Sequence, residues 1–195
     1  TPVHADPEFP GVHGRKSATY CDPYAVKAGR ITTLTPGDWL YFYATLTLRP
    51  HDWRGPGTTR VGDDGADVRG GEWLSEHGID VDDDLAPTWG AYLVAAIRVK
   101  QVLETPTREA AAECVPTNAH LKRDPFDARV VVAGDPTESG CLGRVVPLSD
   151  PSAGATANRL VTALSSDSGK GPWWRRPLAF DDDATRTLLD RLDPA

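Results

Sequence analysis

The sequence predicts an α+β fold: a curved mixed β-sheet or open barrel carrying a few short helices. Three observations predict it. The run WLYFYATLTL at 39–48 is dense in the aromatic and β-branched residues that suit a pleated, half-buried surface. Two later apolar runs, WGAYLVAAIRVKQVLE at 89–104 and RVVVAG at 129–134, are also rich in β-branched residues. Helical signals are confined to short stretches. The chain has 195 residues, of which 39% are hydrophobic and 25% charged, which is enough for one sizeable core without disulfides or metal. A single domain over 1–195 is expected, interrupted by a loop-rich insertion at about 49–88.

Residues 1–38 are rich in Pro, Gly and turn formers, and TPGDW at 35–39 is a turn that feeds directly into a strand. In that strand Leu40, Phe42, Ala44, Leu46 and Leu48 share one face, suited to a core. Trp39, Tyr41, Tyr43, Thr45 and Thr47 share the other, an aromatic and hydroxyl face suited to lining a pocket or packing on a helix. The Gly, Asp and Pro of 49–88 lack a helical period, although 72–77 allows a short helix. The run 89–104 allows helix or strand, and Val94, Ile97, Val99 and Val102 favour strand. A short helix follows at 105–115, with Thr107 as its cap and Glu109 and the alanines supporting it. RVVVAG is a third strand and CLGRVVPLSD a fourth, ending at Pro147. Asn158 to Leu164 forms a helical turn or two. The chain closes on an amphipathic helix at 181–192, with Asp181, Asp182 and Asp183 at its positive end and Leu188, Leu189 and Leu192 as its apolar stripe.

The net charge is −7, which argues against a broad non-specific DNA-binding surface but leaves room for one local basic site. The excess of Asp over Glu and of Arg over Lys is the pattern of a salt-adapted or GC-rich source, archaeal or bacterial. No apolar run approaches the roughly 20 residues of a bilayer span, and no signal-peptide pattern is present. A cytoplasmic chain with no membrane partner is expected. It opens at Thr1, as a processed or trimmed chain or a segment of a longer one would. Cys21, Cys114 and Cys141 have no CxxC spacing and are expected to be small buried thiols.

The residues with most to offer chemically lie in TNAHLKR at 117–123. An extended backbone would put Asn118, His120 and Lys122 on one face. Asn118 suits a base edge, His120 acid–base work near neutral pH, and Lys122 and Arg123 phosphate. His4 and Asp6, two apart, suit a base pair of groups or two metal ligands, with His120 as a third partner. In DPTESG at 135–140, Glu138 offers a carboxyl and Ser139 a hydroxyl, and the segment matches neither a P-loop nor a nucleophile elbow. Trp173, Trp174, Arg175 and Arg176 combine stacking surfaces with cations, although a core tryptophan and arginines paired to the late aspartates would explain them too. Tyr20 and Asp22 are further candidates for the same pocket.

Several blocks taken in order are similar to the family called nucleotide modification associated domain 3. They are VHADPEF, TPGDWLYFYATL, AYLVAAIRV, NAHLKR, GDPTESGCLGRVVPLS and GPWWRRPLAF. The order of elements also resembles PUA-like domains, the group containing the ASCH and EVE modules. This resemblance implies a nucleotide- or nucleic-acid-directed role in DNA base modification, without naming a reaction or a cofactor. The insertion at 49–88 departs from the family pattern. Three readings stay open. One is a protein that binds or processes a nucleotide or modified base, with Tyr41, Tyr43, Asn118, His120, Lys122, Arg123 and Ser139 lining one pocket. Another is a metal-assisted hydrolase or transferase using His4, Asp6, His120 and Glu138. The third is a non-catalytic reader of modified DNA using 173–176 and the aromatic strand face.

Overall fold

The computed structural model describes residues 6–47, 89–150, 153–167, 173 and 177–192. The insertion, the short helix expected at 72–77, His4, Trp174, Arg175 and Arg176 lie outside the described residues. The main sheet is a curled antiparallel one accompanied by short helices, the α+β class that the sequence predicts. Two compact units are present, Thr1–Phe42 with Val94–Gly143, and Tyr43–Leu93 with Arg144–Ala195. Their boundaries fall at 42/43, 93/94 and 143/144.

The strands of the five-stranded sheet are β1 (Ala18–Asp22), β2 (Trp39–Thr47), β3 (Trp89–Glu104), β4 (Val130–Gly134) and β5 (Gly140–Pro147), in the order β1-β4-β3-β2 with β5 also on β3. In the first unit β4 pairs antiparallel with β1, Ala18 opposite Gly134 and Asp22 opposite Val130. It pairs with β3 on its other edge, and a bulge between Val99 and Gln101 shifts that register. Residue alternation then sorts side chains onto two faces. Phe9, Ala18, Ile97, Val99, Val130 and Val132 bury one face with α1 (Ala25–Ile31), and Leu40 and Phe42 pack against this cluster as the strand pattern predicts. Cys21, Val131 and Ala128 bury the other beneath α2 (Arg108–Cys114), with Leu103 and Leu121 alongside.

The turn before β2 forms through its own residues. Gly37 takes φ +98°, a conformation that side chains rarely adopt. Asp38 Oδ2 accepts from the Thr35 N–H at 2.6 Å and from its hydroxyl at 3.0 Å. At α2, Thr107 Oγ1 accepts from the Ala110 N–H at 3.3 Å, the cap read from the sequence. Thr107→Ala is expected to cost about 1 kcal/mol, and Thr107→Ser close to nothing, in urea unfolding. Equal losses for the two would mean that the threonine methyl, not the cap, matters.

In the second unit β6 (Ser149–Asp150) pairs antiparallel with β7 (Ala153–Ala157). Asn158 caps α3 (Arg159–Leu164), accepting from the Leu160 N–H at 2.9 Å and donating to the Pro147 carbonyl at 2.6 Å. Asp181 caps α4 (Asp182–Leu192) by accepting from the Ala184 N–H at 2.9 Å, so the late aspartates do start a helix. Leu160, Val161, Trp173 and Leu188 are buried. No described helix is long and apolar enough to cross a membrane.

Candidate functional site

The N-terminal segment lies beside β1 because Glu8 and Thr19 exchange backbone hydrogen bonds of 2.9 and 3.1 Å. That pairing brings Asp6 to β1, where its Oδ1 accepts from the Cys21 N–H at 3.1 Å. The chain after α2 completes the site. Asn118 caps a 3-10 turn, Ala119–Lys122, its Oδ1 accepting from the His120 N–H at 2.9 Å. The expected extended segment is therefore a turn. Asn118 and His120 go inward and Lys122 stays exposed, so the three do not share a face. Arg108 holds the loop from α2, donating at 2.7 Å to the carbonyls of both Leu121 and Arg123.

What results is a buried polar network. Asn118 Nδ2 donates to Asp6 Oδ1 at 2.8 Å and to Thr19 Oγ1 at 3.0 Å. His120 Nε2 lies 3.3 Å from Asp6 Oδ2, and its Nδ1 lies 2.8 Å from Asp127 Oδ1. Asp127 Oδ2 in turn accepts from Arg123 Nη1 at 2.6 Å. Glu8 Oε2 accepts from the hydroxyls of Thr19 and Thr117, each at 2.8 Å, and its Oε1 is 3.0 Å from Arg15. The side chains of His120 and Asp6 are 2% and 4% exposed, whereas Asp127 is 34% exposed, so Asp127 is the outward end of the Asp–His–Asp series. An imidazole flanked by two carboxylates can take a proton at one nitrogen and release one at the other.

Burial works against ionisation of Asp127, but the hydrogen bonds from Arg123 and His120 and their charges outweigh it and hold the carboxyl below the usual aspartate range. A carboxylate with a lowered folded-state pKa stabilises the fold above its unfolded pKa of about 3.9, and loses that contribution as pH falls through the folded value. The stability gap between wild type and Asp127→Asn is thus expected to be constant above about pH 5 and to close on further acidification. Chemical denaturation across a pH series checks this, and a gap that persists at the acid end contradicts the assignment.

Nearby, the Tyr20 hydroxyl donates to Asp22 Oδ2 in a short contact, and Asp22 Oδ1 accepts from the Tyr24 N–H at 2.7 Å. Burial, then this hydrogen bond and the surrounding acidic charge, pushes the Tyr20 phenol up. Burial and the Asp6 charge push up the Cys21 thiol, which makes it a poor nucleophile. Of the other cysteines, Cys114 is half-buried and Cys141 exposed, so only Cys21 is the buried thiol expected of all three.

The remaining candidates do not join this network. Tyr41 stacks on Trp39, with ring centroids 6.1 Å apart and planes 14° from parallel, and the Arg98 guanidinium lies 5.1 Å from the Trp39 ring centroid. Ser139 Oγ accepts from the Arg98 N–H at 2.9 Å. Tyr43 is exposed and belongs to the second unit. Glu138 is exposed in a turn closed by Asp135, whose Oδ1 accepts from Thr137 at 2.8 and 2.6 Å. Trp173 is buried and its indole donates to the Ala155 carbonyl at 3.3 Å. Among the described residues no group of three His, Cys, Asp or Glu side chains is placed to hold a metal ion. Sequence reasoning missed Glu8, Thr19, Arg98 and Asp127. The one signal available for Asp127 is its i,i+4 spacing from Arg123, a helix-type pair that here spans a turn.

No curated protein and no solved structure matches the chain. A family model described as nucleotide modification associated domain 3 matches residues 1–190, nearly its whole length, and it is to this family that the chain belongs.

Proposed function

We propose that the chain binds a nucleotide or modified base and acts in nucleotide modification, with the Asp6–His120–Asp127 series as its acid–base element. The observation that carries this reading is a histidine with a carboxylate at each ring nitrogen, running from the half-exposed Asp127–Arg123 pair to the buried Asp6. Asp127 is the group within reach of a ligand. His120 and Asp6 act through it, setting its orientation and carrying its proton, and Asn118 fixes Asp6. The family description supports the nucleotide as the ligand class, and the net charge of −7 favours a small nucleotide or locally held base over long DNA.

Calorimetric titration with deoxynucleosides, deoxynucleoside monophosphates and short oligonucleotides tests the binding claim. Mass spectrometry of the bases after incubation tests for modification. Binding by wild type, with turnover reduced in Asp127→Asn and His120→Gln while folding is retained, is the expected result. No binding to any of these ligands overturns the reading. A metal-assisted reading through His120 and Asp6 is the competing one, although among the described residues no group of three such side chains is placed to hold an ion. Metal content of the purified protein and of His120→Ala separates the two, since only a metal site loses its ion with the imidazole.

A further inference from the structure

A second group of polar side chains in the first unit is not used by the acid–base series. The Trp39 Nε1–H and the Tyr41 hydroxyl are both buried and have no hydrogen-bond partner among the described residues. Buried polar groups are nearly always paired, so two unpaired ones on stacked neighbouring rings need a physical reason. Arg98 supplies one. Its guanidinium lies over the Trp39 ring, and among the described residues it has no carboxylate partner. Contact through the π face leaves the N–H edges available for a second partner. The backbone fixes this arrangement. Arg98 donates its N–H to Ser139 Oγ at 2.9 Å, its carbonyl accepts from the Asp135 N–H at 2.8 Å, and the next residue, Val99, bonds Gly37 and Asp38 in the turn that starts β2.

The chemistry of the group is one-sided. An indole N–H and a guanidinium only donate, and a neutral phenol can donate. Burial raises the Tyr41 phenol despite the opposing pull of Arg98, so it keeps its proton at neutral pH. A set of donors with one positive charge rejects cations and amines and suits an oxyanion.

We propose that Trp39, Tyr41 and Arg98 form a subsite for the phosphate of a nucleotide. Alternation along β2 and β3 places all three opposite the Leu40, Phe42 and Val99 cluster, on the sheet face that also carries Cys21 and α2. Ser139 positions Arg98. The preference for an oxyanion follows from the donors alone, and its assignment to the phosphate of a nucleotide rests on the nucleotide-directed reading above.

Calorimetric titration with inorganic phosphate, a deoxynucleoside and its 5′-monophosphate, using wild type, Arg98→Gln, Tyr41→Phe and Trp39→Phe, tests this. The monophosphate is expected to bind wild type more tightly than the deoxynucleoside does, and about tenfold or more weaker to Arg98→Gln. Tyr41→Phe should weaken monophosphate binding severalfold while leaving the ligand-free melting temperature unchanged or raised, because it removes an unpaired buried hydroxyl. A merely structural hydroxyl gives the opposite pattern, a lowered melting temperature with unchanged affinity, and that result overturns the inference. Equal binding of deoxynucleoside and monophosphate also overturns it while sparing the nucleotide reading. Arg98-dependent binding of inorganic phosphate without binding of either nucleoside form leaves the subsite standing and removes the nucleotide reading.

Discussion

Replacing His120 with alanine is expected to destabilise the protein by about 3 kcal/mol or more, because it removes a hydrogen-bonding partner from a buried carboxyl and empties its own buried site. The side chains of Asp6 and His120 are almost fully shielded, at 4% and 2% exposure. Without the imidazole, Asp6 keeps its hydrogen bonds from Asn118 and the Cys21 N–H but loses the ring nitrogen 3.3 Å from its Oδ2. Asp127 keeps only Arg123 among the contacts described above. The deleted ring also leaves a cavity. Two further measurements identify the cause. Asp6→Asn in the His120→Ala background should recover part of the loss, because a neutral amide tolerates burial better than an orphaned carboxylate. The His120→Ala deficit should also shrink on acidification, because the imidazole is one of the groups that hold the Asp127 carboxyl below its usual range. A His120→Ala protein within about 1 kcal/mol of wild type would show that the network does not bear on the fold.

The elements that were legible in the sequence are those whose signal is local. WLYFYATLT and VVVAG declare themselves as strands by composition, and Thr107 marks a helix start by its hydroxyl. Even the ambiguous run at 89–104 resolves as a single strand, β3. The strand β1 is different. ATYCD mixes small, polar and aromatic residues with no apolar run, and it is a strand because Val130 to Gly134 pairs with it. Its polar members are buried, Thr19 against Glu8 and Asn118 from other segments and Asp22 against its neighbours Tyr20 and the Tyr24 N–H, so no local hydrophobic pattern announces them. β7 is hidden for a similar reason, since AGATA has little apolar mass.

The site follows the same division. His120, Asn118 and Asp6 are visible as residue types that carry chemistry, and the fold brings them together across a separation of more than a hundred positions, as in the Asn118–Asp6 bond with |i−j| of 112. Their geometry was not visible. Asn118 prefers capping a turn to continuing an extended run, because its carbonyl can accept from the His120 N–H. That turn sends His120 inward and frees Lys122 from the site. Arg123 suits a phosphate by residue type, and in the structure its Nη1 donates to Asp127 Oδ2. Arg98, by contrast, has no carboxylate partner among the described residues; it lies in the middle of β3, where an isolated arginine in an apolar run reads as an outward-facing strand residue.

Gly134→Ala is expected to cost about 3 kcal/mol, at the upper end for added volume in a packed core. A Cβ built there would lie 2.4 Å from Ile97 Cγ2 and 3.0 Å from both Ala18 Cβ and Ser139 Oγ. β4 cannot move away from the clash, because Gly134 pairs with Ala18 on one side and Val99 on the other. Ile97 is fully buried and its β-branched side chain has little rotamer freedom. Ile97→Ala alone should itself cost about 2–5 kcal/mol by opening a cavity. It removes the Cγ2 atom that the new methyl meets, so the double variant should be at least about 1 kcal/mol less damaged than the sum of the two. Strict additivity would show that the strain lies elsewhere. The substitution also reaches the proposed phosphate subsite. The atom crowded at 3.0 Å is the Ser139 hydroxyl oxygen that accepts from the Arg98 N–H. Displacing it loosens the backbone that aims the guanidinium, so weaker monophosphate binding should accompany the loss of stability in Gly134→Ala and recover in part with it in the double variant.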